Sequence, residues 1–168
     1  MAKIADLLTN QELYNKSRDF GFGFKTGILL PDEQSGVLRH FEDWSYQSNK
    51  SLAMGQEISV NTLQIALAYS AAANGGYLPR PRLIKHIKGR GYENRNYSPK
   101  PIRQIMSNMT SDLLLKMMEN VVTVGTASKA QIPGFRIGGK TGTAEKFING
   151  TYSKQNFISS FAAVFPIN

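Results

Sequence analysis

The residues best suited to chemistry lie near the C-terminus, in Gly138-Gly139-Lys140-Thr141-Gly142-Thr143-Ala144. From average residue frequencies, a Lys-Thr-Gly-Thr-Ala run arises by chance roughly once per million positions, so it is not background. Lys140 offers a compact positive charge on a flexible stem, suited to holding a carboxylate. Thr141 and Thr143 offer hydroxyls for a carboxylate or a peptide group. Gly142 lacks a side chain, so an extended substrate can lie close against the backbone. The bland alternative is a Gly/Thr-rich edge strand with an incidental lysine.

The elements that must position this run are legible in outline. Phe135 to Thr143 reads as a strand, Asn149-Gly150 as a hairpin turn and Asn156 to Phe165 as the returning strand. Strand alternation would then put Lys140 and Gly142 on one face and Thr141 and Thr143 on the other, unless a bulge beside the glycines re-aims one of them. Upstream, Ser59 to Asn74 is dominated by alanine and leucine and stops at Gly75-Gly76, which predicts a well-buried helix of about four turns. Ser111 to Val124 reads as an amphipathic helix capped by Thr110 or Ser111. Leu114, Met117, Met118 and Val121 form its apolar face, with the methionines as core filler. Asn10 can cap a short helix through Phe20, stopped by Gly21. Phe20-Gly21-Phe22-Gly23-Phe24 reads as a tight, close-packed connection, and Asp32 to Asn49 as a loop with short elements. Leu83 to Ile87 reads as a strand, and Gly89 to Pro101 as a surface loop.

Composition removes several classes of function. The chain of 168 residues has no cysteine and two histidines, so disulfides, thiolate metal sites and a histidine metal cluster drop out, and no cofactor is expected. His40 and His86 read as ordinary surface or loop residues. No apolar run approaches a membrane span, and Met1 to Asp6 lacks the apolar core of a signal peptide. The net charge is +8, yet Gly76 to Arg103 alone carries eight cations against one acid, leaving +1 for all the rest. The basicity is therefore one local patch. It could face an anionic polymer or an anionic membrane surface, or be a solvated loop. Tyr77, Tyr92 and Tyr97 interleave with its cations and could stack on bases. No nucleic-acid motif accompanies them, so no nucleic-acid partner is expected.

Lys-Thr-Gly is a signature of penicillin-binding proteins and class A β-lactamases. With Thr143-Ala144 appended, the run resembles that of the class B, high-molecular-weight penicillin-binding transpeptidases. The resemblance extends in order along most of the chain. It takes in Phe20-Gly21-Phe22-Gly23 with Thr26-Gly27-Ile28, then Met54-Gly55-Gln56-Glu57-Ile58-Ser59-Val60 with Leu63-Gln64, then Ala73-Asn74-Gly75-Gly76 and Val124-Gly125-Thr126-Ala127. Glu57 stands where glycine is usual, and Asn61-Thr62 replaces a common Thr-Pro. The Phe135-Arg136-Ile137-Gly138-Gly139 lead-in and Glu145-Lys146 lean towards the division-type, septal member.

The resemblance implies an α+β fold with an antiparallel sheet flanked by helices. It implies a serine D,D-transpeptidase that cross-links peptidoglycan stem peptides ending in D-Ala-D-Ala, that is acylated by β-lactams, and that lies at the extracytoplasmic face of the bacterial inner membrane, in the periplasm. Division or elongation machinery would be its assembly partner. Lys140 and Thr143 become the catalytic candidates, with the Thr143 N–H as one oxyanion-hole donor, and Thr141, Gly142 and Thr143 the substrate-binding ones.

Two of the family's motifs have no counterpart here. No serine has lysine three residues later. Thr126-Ala127-Ser128-Lys129 begins with threonine and falls in a turn, while Ser59-Val60-Asn61 matches Ser-x-Asn only at the start of the alanine-rich helix. The expectation is a partial transpeptidase domain over residues 1–168, cut at both ends, with Met1 an internal methionine and the sheet left with an open edge. The alternative is a non-catalytic fragment or degenerate homologue that acts as a binding module.

Overall fold

The computed structural model describes residues 1–91 and 93–167; Tyr92 lies outside them. Two short helices open the chain, α1 (Ala2–Ala5) and α2 (Asn10–Asp19). The strand β1 (Val37–Leu38), the helix α3 (Ser48–Ala53) and the strand β2 (Ile58–Ser59) follow, then α4 (Thr62–Ala73). Four short strands come next: β3 (Tyr77–Pro79), β4 (His86–Ile87), β5 (Arg95–Asn96) and β6 (Pro101–Gln104). The long helix α5 (Asn108–Thr123) leads to the hairpin of β7 (Gly138–Ile148) and β8 (Thr151–Val164). Strands pair antiparallel as β1–β2, β3–β6, β4–β5 and β7–β8. The architecture is α+β, as expected.

Helix starts are set by side-chain caps, in places one to four residues away from the sequence reading. Thr9, not Asn10, caps α2: its hydroxyl accepts from Glu12 N at 3.2 Å, and Glu12 Oε2 accepts from Thr9 N at 2.8 Å. That bond from the Thr9 backbone, reinforced by the Thr9 hydroxyl, holds the Glu12 carboxyl below its ordinary range. Asn61 caps α4 through a matching box with Gln64, so Ser59 is left to pair with Val37 across β1–β2. Ser107 caps α5, one turn ahead of the predicted start at Thr110 or Ser111.

The alanine-rich α4 is the central post. Leu67 and Ala71 pack with Leu78 and Ile105, and Phe20, Leu63 and Met106 close around them. Gln64 is buried in the same helix and fully used. Its Nε2 donates to Phe24 O at 2.7 Å and Ser35 O at 2.9 Å, while its Oε1 accepts from Asn61 N at 2.9 Å. One buried amide thus pins the Phe/Gly connection and the loop before β1 to α4 and leaves none of its own polar atoms unpaired. Helix α5 is tied alongside by the buried Ser111 hydroxyl, which donates to Ala72 O.

Parts of the sequence reading do not hold. Met118 and Val122 are buried on α5, whereas Met117 is exposed beside an apolar groove shared with Phe20 and Leu113. Leu83 and Ile84 are exposed and outside any strand; only His86–Ile87 pairs, with Arg95–Asn96. Pro101 is not loop but the start of β6. The two histidines are exposed, as read: His40 sits edge-on to Tyr14 at 5.0 Å, and His86 lies on β4.

Candidate active site

The Asn149-Gly150 turn adopts positive φ at both positions, 52° and 81°, the geometry that matches the twist of two strands joined by two residues. It sets a register in which Gly139 faces Ala163, Lys140 faces Ala162, Thr141 faces Phe161, Gly142 faces Ser160 and Thr143 faces Ser159. The predicted Phe135–Thr143 strand begins later, at Gly138. The ladder shifts only between Glu145 and Phe147, beyond the motif. No bulge re-aims Lys140 or its threonines, so the side chains of Lys140 and Thr141 leave the strand on opposite faces.

The glycines before Lys140 are there for proximity. A Cβ on Gly138 would stand 2.5 Å from Ile167 Cδ1, 3.1 Å from Met118 Cβ and 3.2 Å from the Glu119 amide nitrogen; on Gly139 it would stand 2.7 Å from the Phe161 ring and 2.8 Å from Ala162 O. Glycine is what lets α5 lie against β7 and Phe161 fold over it. A bidentate pair reinforces this packing from the side: Arg136 Nε and a terminal guanidinium nitrogen donate to Glu119 at 2.7 and 2.8 Å. The Arg136 bonds pull the Glu119 carboxyl below its usual range.

Between α4 and the hairpin opens a cleft of about 810 Å³. Ile65 and Tyr69 line it from α4, Phe22 from the Phe/Gly connection, and Lys140, Thr141, Gly142 and Phe161 from the hairpin. Burial in this wall pushes the Tyr69 hydroxyl pKa up. Lys140 is exposed, and its ammonium donates to Thr141 O at 2.6 Å on its own strand. The Thr141 hydroxyl lies 3.0 Å from that of Thr126, in the turn after α5. Three of the four candidates therefore meet at one cleft. The fourth, Thr143, is exposed one step further along β7 and lies outside the cleft lining. A lysine, a threonine hydroxyl and a bare glycine at one cleft, with Thr143 next along β7, can bind an extended peptide that ends in a carboxylate.

Sequence reasoning missed Tyr69 and Thr126 at this site. Tyr69 sits inside an alanine-rich run that reads as core, and Thr126 has meaning only through the contact with Thr141. Ser59 and Asn61 have local duties in β2 and at the α4 cap, which agrees with setting that tripeptide aside.

The model of the penicillin-binding protein transpeptidase domain matches residues 1–168. The chain belongs to the penicillin-binding protein transpeptidase family. Stage V sporulation protein D of Bacillus subtilis is 37% identical over 166 residues, covering 98% of this chain and 26% of that protein. Penicillin-binding protein PbpB of Mycolicibacterium smegmatis is 34% identical, covering 97% of this chain and 26% of its own length. Among solved structures, penicillin-binding protein 3 of Mycobacterium tuberculosis complexed with ampicillin superposes with a TM-score of 0.92 at 28% identity, covering 99% of this chain and 39% of that one. The chain thus spans about a quarter of the length of the curated relatives it matches. Among the described residues no helix is long and apolar enough to cross a membrane.

Proposed function

We propose that these residues form the Lys-Thr-Gly wall of a serine D,D-transpeptidase acting on peptidoglycan stem peptides, and that the serine and its lysine lie in sequence outside the chain. The observation that carries this is the placement of Lys140, Thr141 and Gly142 together on one cleft facing α4. Relatives named as peptidoglycan D,D-transpeptidases, among them the FtsI homologue of Mesostigma viride at 34% identity, support it. A division-type role beside a division assembly, at the extracytoplasmic face, belongs to the same proposal.

In this reading the serine oxygen adds to the carbonyl of a D-Ala-D-Ala end, and its proton passes to a base. The tetrahedral oxyanion collapses, the C–N bond breaks, and the terminal D-alanine leaves as its protonated amine. An acceptor amine then displaces the serine from the acyl group. With their side chains on opposite faces of β7, Lys140 holds the terminal carboxylate from one side and the Thr141 hydroxyl lines the rim along which the peptide lies, while Gly142 admits the peptide against β7 and the Thr143 N–H donates to the oxyanion. β-Lactams enter as mimics of the D-Ala-D-Ala end.

A second reading, a binding module without catalysis, is favoured by the absence of Ser-x-x-Lys from these residues. A fluorescent penicillin separates the two. A covalent label on the full-length protein, and none on the 168-residue chain alone, is the result expected. No label on the full-length protein would favour the binding module.

A further inference from the structure

The basic patch folds into a concave cation site. Antiparallel pairing of β3 with β6 brings Arg80 beside Lys100, whose carbonyl accepts from Arg80 N at 3.0 Å. Pairing of β4 with β5 folds the next segment back, and Tyr97 N donates to Lys85 O at 2.9 Å. Between them lies a cleft of about 330 Å³ lined by Arg80, Arg82, Asn96, Tyr97, Ser98 and Lys100. It shares no residue with the Lys140 cleft.

Three properties mark it as more than a solvated loop. Its lining holds three cations and no acid. All eight cations between Gly76 and Arg103 are exposed, yet among the described residues only Arg95 has a carboxylate partner, Glu93 at 3.2 Å. Every polar side chain in the lining can donate a hydrogen bond, from two guanidinium forks and an ammonium to the Tyr97 and Ser98 hydroxyls and the Asn96 amide. Like charges gathered on two nested strand pairs repel one another, and a bound anion relieves that repulsion. Paired guanidinium forks match the several oxygens of a phosphate, and the half-exposed Tyr97 ring offers an apolar rest for what the phosphate carries.

The geometry points to a binding site for an organic phosphate ester, separate from the transpeptidase cleft. Such a group is presented by an anionic lipid headgroup or by a free phosphate ester, and the test distinguishes them. Full-length protein is titrated with glycerol 3-phosphate in solution, and separately with phosphatidylcholine vesicles with and without phosphatidylglycerol. Binding of glycerol 3-phosphate assigns a free ligand; binding confined to phosphatidylglycerol vesicles assigns a headgroup. In either case Arg80→Gln/Arg82→Gln/Lys100→Gln is expected to weaken binding at least tenfold while penicillin labelling stays unchanged. Lys85→Gln/Lys88→Gln/Arg90→Gln removes equal charge outside the cleft and is expected to weaken binding by less than threefold. Equal loss in both triple variants would overturn the site in favour of diffuse charge. So would absence of binding in both arms, or tighter capture of single-stranded DNA than of either phosphate probe.

Discussion

The hydroxyls of Thr126 and Thr141 lie 3.0 Å apart, which joins the turn after α5 to the middle residue of Lys-Thr-Gly. Thr141 is half-buried, and this contact gives its hydroxyl a partner in the turn. Thr126→Val keeps the shape and removes the bond. A hydrogen bond of this kind contributes about 1 kcal/mol, so the loss of stability should be small. Acylation of the full-length protein by a β-lactam should nonetheless slow several-fold, because Thr141 would be free to turn away from the rim where the peptide lies. Stopped-flow acylation of Thr126→Val and Thr126→Ser checks this; Thr126→Ser should restore the wild-type rate.

Gly138, Gly139 and Gly142 look alike in the sequence and should differ sharply on substitution. A methyl at Gly138 meets Ile167 Cδ1, Met118 Cβ and the Glu119 backbone together, and at Gly139 it meets the Phe161 ring and Ala162 O. At Gly142 the one close neighbour is the Ser160 hydroxyl, at 2.6 Å, which can rotate away. Overpacking against backbone costs about 1–3 kcal/mol. Gly138→Ala and Gly139→Ala should therefore lower the urea midpoint clearly, with Gly142→Ala close to wild type. Gly142→Ala should instead slow acylation, since it lines the cleft. Matching urea midpoints for all three would contradict this account of the close contacts.

Glu57 shows how a departure from the family pattern is accommodated. It holds φ at 58°, a left-handed conformation natural to the glycine usual at this place. Its carboxylate pairs with Arg39 and accepts from the buried Ser48 hydroxyl at 2.8 Å. Glu57→Ala keeps the backbone strain and loses both partners. Glu57→Gly loses the partners and relieves about 1–2 kcal/mol of strain. The expected order of stability is wild type, then Glu57→Gly, then Glu57→Ala, read by thermal unfolding; glycine falling below alanine would refute the strain argument.

How much was legible follows from where information is local. The hairpin was readable because Asn149-Gly150 states its own turn, and α4 because alanine and leucine dominate it from Leu63 to Ala73. The family, and with it Lys140, Thr141 and Gly142, was readable from one improbable run. Strands β3 and β6 were not, because Pro79, Pro101 and exposed polar residues give no alternation and the pairing is with a distant partner. Leu83-Ile84 looked like a strand, yet β sequences need a neighbour to bond, and among the described residues none stands opposite them. Met117 and Met118 are chemically identical; which of them is buried depends on where β7 lies, and that was invisible before folding. Tyr69 and Thr126 escaped for the same reason.

Acid should loosen the fold through three carboxylates, the Glu12 of the α2 capping box, Glu33 and Glu119. Glu33 accepts from the Thr26 hydroxyl and from Thr26 N at 2.7 Å, and the hydroxyl bond leads in holding its pKa below the ordinary value. Glu119 is held low by Arg136. A carboxyl with a depressed folded pKa contributes stability that is complete above its unfolded pKa, about 4.3, and is lost as pH falls through the folded value. Urea midpoints should thus be level from about pH 7 to 5 and drop below about pH 4. Glu33→Gln should lower the plateau and flatten the drop. A variant as steep as wild type would assign the acid sensitivity elsewhere.

Lys140 is the sharpest test of the functional reading because folding and function separate there. It is exposed, and its ammonium reaches only Thr141 O on its own strand among the described residues. Lys140→Ala should therefore shift stability by no more than about 0.5 kcal/mol, the range of surface substitutions. In the full-length protein it removes the charge that faces the substrate carboxylate. The β-lactam acylation rate should fall by roughly 10²–10³-fold, the scale of losing one preorganised electrostatic partner in an acyl-transfer site. Thr143→Ala should cost less than about tenfold, because the backbone N–H assigned to the oxyanion survives the change. The two variants are compared by acylation rate against unfolding midpoint. An unchanged midpoint with acylation lost in Lys140→Ala and largely kept in Thr143→Ala is the expected pattern. Equal acylation of wild type and Lys140→Ala would remove Lys140 from the mechanism, and with it the role assigned to the cleft between α4 and β7.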